Sequence, residues 1–150
     1  MNTPTGAQAA RVVSDTAPIN QRNAMLAGVT ELLGRALLVV LFLLAGLSKL
    51  GAYSSAAAYM SSAGVPAALL PLVITTELGG AIAIILGWKT RAVALLLAGF
   101  SLLTAVLFHN NFADQIQMTM FLKNVSIAGG FLLLVARGAG PLSIDARFAN

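Results

Sequence analysis

Apolar residues along this chain come in four long blocks separated by short polar or mixed stretches. The blocks are about 31–50 (ELLGRALLVVLFLLAGLSKL), 69–88 (LLPLVITTELGGAIAIILGW), 92–109 (AVALLLAGFSLLTAVLFH) and 121–136 (FLKNVSIAGGFLLLVA). Each is close to the roughly 20 residues with which an α-helix crosses a bilayer core. The pattern predicts an all-α membrane protein, a four-helix transmembrane bundle occupying residues 27–140. Residues 51–68 (GAYSSAAAYMSSAGVPAA) are too weakly apolar to span and are expected as a short interfacial helix, ended by Gly64 and turned by Pro66. Tyr53 and Tyr59 suit headgroup depth there. The semi-polar connection 110–120 leaves room for another interfacial turn or helix. Residues 1–26 show no sustained hydrophobic period and are expected as a flexible tail, and residues 141–150 as a second tail.

Composition agrees with this class. Apolar residues make up 58% of the 150 and charged residues only 9%, where a soluble domain carries about a quarter. The net charge of +4 comes from scattered basic residues, which argues against nucleic acid as a partner and for loops facing the cytoplasm. Four spans put both termini on one side. That side collects Arg11, Arg22, Arg35, Lys89, Arg91, Arg137 and Arg147, against Lys49 and Lys123 on the other. Both termini are therefore expected in the cytoplasm. There is no cysteine, so thiol chemistry would sit on a partner, and a single histidine leaves metal ligation by this chain improbable.

Glu77 lies near the middle of the second block, and an ionisable group at that depth costs about 2.5–3.5 kcal/mol on insertion scales. It should face protein and have a partner. Lys49 ends the first span, His109 ends the third, and Lys123 with Asn124 begins the fourth, all at the non-cytoplasmic end. Glu77 is expected about 12 Å below that end, within reach of Lys49 or Lys123; the sequence leaves open which. Together these residues outline a polar pocket on the periplasmic half, walled by Phe42, Ile74, Phe108 and Phe121. Each also has a plainer role: Glu77 with a lysine as a structural pair, the lysines and His109 as interfacial groups, Asn124 as a partner for helix backbone. Glu31 and Arg35, four apart, read as a surface pair with Arg35 snorkelling to its interface. Gly79, Gly80, Gly129 and Gly130 offer thin surfaces for close helix packing.

Several of these pieces in this order resemble the DoxX family of small bacterial inner-membrane proteins: GRALLVVLFLLAGLSKL around Arg35, Gly46 and Lys49; YMSSAGVP from Tyr59; ELGGAIAIILGWKTR from Glu77; FH at Phe108 and His109; and FLKNVSIAGG around Lys123 and Asn124. The resemblance covers about residues 33–145. It implies a four-span bundle in the bacterial inner membrane. Through the namesake branch, associated with a thiosulfate:quinone oxidoreductase, it implies a subunit of a quinone-linked redox complex. On that reading Glu77 acts as proton relay or counter-ion, Lys49 and Lys123 as cationic donors, and His109 and Asn124 as orienting groups. Quinone is the candidate ligand, and a partner protein or a second copy completes the complex. No electron-carrying cofactor is assignable to this chain, so a partner would supply it. The alternatives are a non-catalytic scaffold that anchors a partner, with the ion pair purely structural, and a small-solute or lipid carrier. For the carrier, four spans are few and no inverted repeat is visible.

Overall fold

A computed structural model of the protein describes the backbone of residues 6–148 and the side chains of 21–148. Its described elements are helices α1 (Gly6–Gly51), α2 (Tyr53–Ser62), α3 (Leu70–Leu86), α4 (Thr90–Phe108), α5 (Gln115–Arg137) and α6 (Ile144–Phe148), with one 3₁₀ turn at Ala67–Leu69. Among the described residues four stretches are long and apolar enough to cross a membrane: Gln21–Gly51, Ala67–Leu86, Thr90–Phe108 and Gln115–Arg137. The all-α four-span bundle is thus the observed fold, with the short helix α2 between spans 1 and 2.

The ends of the spans follow local chemistry. Pro66 precedes the 3₁₀ turn and Pro71 occupies the first turn of α3, where a missing N–H costs nothing. Gly87 ends α3 in the left-handed region at φ 69°, and the N–H groups of Gly87 and Trp88 donate back to Ile84 and Ala83 O at 3.1 and 2.9 Å. Asp114 caps α5, accepting from the N–H of Ile116 at 2.7 Å and of Gln117 at 3.3 Å. That cap starts the fourth span six residues earlier than the apolar block suggests. Most of the expected connection at 110–120 is therefore the first turns of α5.

Within the bundle α1 packs along α3, and α4 along α5, while α3 against α4 joins the two pairs. The core is made from small residues and a few large ones: Ala81, Ala94, Ala98 and Ala128 surround Val39, Phe42, Ile84, Leu97 and Phe131. Phe42 meets the edge of Phe131 with ring centroids 5.4 Å apart. Outside, Leu37, Leu44, Leu95, Leu103 and Leu133 are exposed, an apolar surface suited to acyl chains. Leucine outside and alanine inside is the arrangement expected where close packing rather than water exclusion holds helices together.

Three expectations are corrected. The stretch expected as an N-terminal tail is helical from Gly6 onward, and residues 1–5 lie outside the described part. Missing hydrophobic periodicity argues against a packed face, but Ala7, Gln8, Ala9, Ala10 and Arg11 are still strong helix formers. Arg35 is not a snorkelling surface residue, because only 1% of it is exposed. Its Nη1 donates to Ile84 and Ile85 O, both at 3.1 Å, and its Nη2 donates to Leu142 O. Ile84 and Ile85 stand in the last turn of α3, where carbonyls lack the regular i+4 donors, and Leu142 belongs to the C-terminal segment, so the forked guanidinium serves two elements at once. The C-terminal residues, expected as a tail, instead dock on the same end of the bundle through residue 148. Asp145 N–H donates to Gly87 O at 2.8 Å, and its carboxylate accepts from Lys89 N–H at 2.7 Å and Thr90 N–H at 2.8 Å.

Candidate functional site

Opposite the Arg35 end, the four spans and α2 enclose a cavity of about 440 Å³. Gly46 brings the walls together. A Cβ there would stand 2.6 Å from Leu78 Cγ and 3.4 Å from Glu77 Cβ, so only glycine lets α1 lie this close to α3. One turn further along α1, Lys49 Nζ reaches both oxygens of Glu77, Oε1 at 2.8 Å and Oε2 at 3.0 Å. The question left open by the sequence is answered in favour of Lys49. The Glu77 side chain is 7% exposed and that of Lys49 27%. The carboxylate is thus held inside while the ammonium looks into the cavity. Glu77 lies about 10 Å along α3 from its first residue at 1.5 Å per residue.

The other candidates come to the same place. Glu77, Lys49, His109, Lys123 and Asn124 all line the cavity. Asn124 is buried at 8% exposure, and Lys123 is half-buried. With α5 starting at Gln115, these two lie more than two turns into the helix rather than at its beginning. His109 follows the last residue of α4, and its Nδ1 lies 2.8 Å from Gln117 Oε1, a contact that ties α4 to the first turns of α5. The Gln117 amide was not foreseen, because it falls in the stretch read as a loop. Thr104 and Ser101 also line the cavity, but their hydroxyls donate to Ser101 O at 3.0 Å and Leu97 O at 2.8 Å of their own helix.

The apolar wall differs in part from expectation. Phe42 and Phe108 line the cavity; Ile74 and Phe121 do not. Ile74 packs with Met60 and Leu70 beneath α2, and Phe121 meets Phe112 edge-on at 5.0 Å. In their place α2 contributes Tyr59 and Met60, Tyr59 stacking on Phe108 at 5.4 Å. Tyr59, expected at headgroup depth, keeps 54% of its surface exposed while its ring lies on Phe108 at the cavity wall. Exposed Leu41, Leu69, Leu72 and Leu103 belong to the lining, so the cavity communicates with the apolar outer surface. Among the described residues no group of three His, Asp or Glu side chains could hold a metal ion.

At the opposite end, Asp145 is, among the described residues, the titratable group outside the spans whose environment shifts it. Burial pushes its carboxyl up, but the Thr90 and Lys89 N–H donors and the nearby Arg35 charge outweigh this and hold it below its ordinary value.

Fold and site together define a multi-pass helical membrane protein with a carboxylate–ammonium pair facing an intramembrane cavity. The DoxX sequence profile matches residues 21–110. The chain is similar to inner membrane protein YqjF of Escherichia coli (strain K12), 50% identical over 117 residues that cover 78% of this chain and 90% of that one. It is also similar to inner membrane protein YphA of the same organism, 38% identical over 126 residues that cover 79% and 90% of the two chains. The chain belongs to the DoxX family and is an integral inner-membrane protein. No solved structure matches it.

Proposed function

We propose that the chain is the membrane subunit of a redox complex and binds quinone or a related small lipophilic ligand in the cavity, on the periplasmic half. The observation that carries this reading is the lining itself. An apolar enclosure of about 440 Å³, open toward the surface where acyl chains lie, has the polar side chains of Glu77, Lys49, His109, Lys123 and Asn124 in its lining. Small-molecule sites are commonly mostly apolar, about 300–1,000 Å³ in volume, with a few convergent polar groups that orient the ligand. A quinone head requires donors at its carbonyl oxygens, and Lys123, Asn124 and His109 supply them. Bound there, a quinone would supply the two-electron acceptor chemistry. The chain's own residues bind the head, keep it away from bulk water, and hold a proton near it through Glu77 and Lys49. An electron-carrying partner subunit completes the complex.

Replacing Asn124 with Leu tests the reading, since it removes a cavity donor while leaving the ion pair intact. Native mass spectrometry of the gently purified protein is expected to show a bound lipophilic molecule in the wild type and its loss in Asn124→Leu, at equal abundance of the protein. A wild type carrying no such molecule, whether alone or with its partner, overturns the ligand reading. One observation favours a second reading, a scaffold that anchors a partner: both Glu77 oxygens are already taken by Lys49, which pins α1 to α3 without any ligand. On that reading Glu77→Gln lowers abundance and complex assembly and leaves no ligand to lose.

A further inference from the structure

The charges inside the cavity do not cancel. Lys49 and Glu77 form the one ion pair among the described residues, and that pair consumes both carboxylate oxygens. Lys123 also lines the cavity and is half-buried, more than two turns into α5, yet no carboxylate of the described residues lies within ion-pair distance of it. Next to it Asn124 is 8% exposed, and its amide makes no hydrogen bond to another described residue. Two ammoniums against one carboxylate leave one positive charge, beside an amide with unused donors, in a mostly apolar enclosure. A charge in such surroundings calls for a counter-charge rather than for a neutral dipole.

We propose that the cavity takes a single-chain amphiphile with a singly charged anionic head, such as a carboxylate or sulfonate, and that Lys123 with Asn124 binds the head. This rests on the reading of the cavity as a ligand site and sets an anionic head where that reading places a neutral quinone one. The head lies beside Lys123 Nζ and the Asn124 amide, leaving the Lys49–Glu77 pair closed. The chain follows the apolar wall past Phe42 and Leu103 toward the outer surface. A doubly charged head would exceed the one positive charge available. A cationic head would be repelled by both lysines.

The experiment uses the full-length protein in nonionic detergent and a diazirine-bearing fatty acid as photolabel, with labelled residues located by peptide mass spectrometry. Labelling is expected on cavity residues of α1, α4 and α5. Decanoate and decane sulfonate should suppress it at concentrations at least about tenfold lower than 1-decanol or decylubiquinone, the difference one charge-assisted hydrogen bond makes. Lys123→Gln should abolish that preference and Lys123→Arg should keep it. If all four competitors act alike and Lys123→Gln changes nothing, the anionic class is wrong and the cavity remains a ligand site. If no competitor acts and the label falls only on the outer leucines, both the class and the ligand site fall. Should Lys123→Gln not fold, Lys123→Arg and the competitor order in the wild type decide the question alone.

Discussion

Glu77 is buried in mid-span and has a single partner. Its carboxylate is held by one ammonium at 2.8 and 3.0 Å, one turn from the place where Gly46 lets two helices touch. Removing one partner of a buried pair leaves the other charge stranded, which costs about 3–5 kcal/mol, whereas removing both costs much less. Lys49 keeps 27% of its side-chain surface exposed, so the loss here belongs at the low end, about 3 kcal/mol. Unfolding in detergent is expected to show Glu77→Gln and Lys49→Gln each strongly destabilised and the double variant losing much less than the sum of the two single losses. Strictly additive losses would mean that the two side chains do not depend on each other. Glu77 was legible in the sequence because a carboxylate in mid-span has no alternative in lipid. Arg35 was not. Its position near the expected start of a span permitted snorkelling, and its acceptors, Ile84, Ile85 and Leu142, lie about fifty to more than a hundred residues away. No local pattern announces them.

The helices were legible and the places where they touch were not. Hydropathy located all four spans, since a bilayer core demands length and apolarity, and capping residues such as Asp114 moved only their ends. Which glycines matter is a question of what faces them. Gly79 and Gly129 have nothing within 4 Å of a hypothetical Cβ, whereas Gly46 meets Leu78 and Gly80 meets Leu97 at 2.8 Å. Gly46→Ala should therefore cost about 1–3 kcal/mol by forcing α1 away from α3, and Gly129→Ala should be nearly neutral or slightly stabilising. Equal melting temperatures for the two variants would contradict this packing. The short α6 was illegible for a different reason: five residues are too few to show a hydrophobic period, and what holds it is Asp145 capping α4 across 55 residues. The folded Asp145 carboxyl lies below its ordinary 3.8, so its contribution is complete above that value and disappears as the pH falls through the lower folded value. At neutral pH Asp145→Asn, which keeps one acceptor oxygen but removes the charge at the start of α4, is expected to lose about 0.3–1 kcal/mol. The gap between variant and wild type should close as the pH is lowered from about 4. A gap that does not change with pH would show that the carboxylate charge plays no part in the clasp.

At the scale of the whole molecule the two ends of the bundle are built differently, and this bears on its orientation. At one end Arg35, Gly87 and the C-terminal segment close the helix ends with backbone and side-chain hydrogen bonds; the other end carries the cavity. A plain count of basic residues gives seven against two in favour of cytoplasmic termini. The structure sharpens that count. Arg35 is buried among carbonyls and no longer acts as a loop charge, Lys49 is neutralised by Glu77, and Lys123 lines the cavity. What remains to hold the chain is Arg11, Arg22, Lys89, Arg91, Arg137 and Arg147 on the side of the termini, with no free loop cation on the cavity side. Positive charges in short loops near span ends resist translocation, so the bias is stronger than the plain count suggests. A green fluorescent protein fused after residue 150 is expected to fluoresce, and alkaline phosphatase at the same place to be inactive. Alkaline phosphatase inserted after Gly64, where the chain turns with φ 76° and no neighbour within 4 Å of its Cβ position, should be active. The reverse pattern would put the cavity on the cytoplasmic half. Any ligand would then have to reach Lys123 and Asn124 from the cytoplasmic leaflet, and the Lys49–Glu77 pair would lie toward the cell interior.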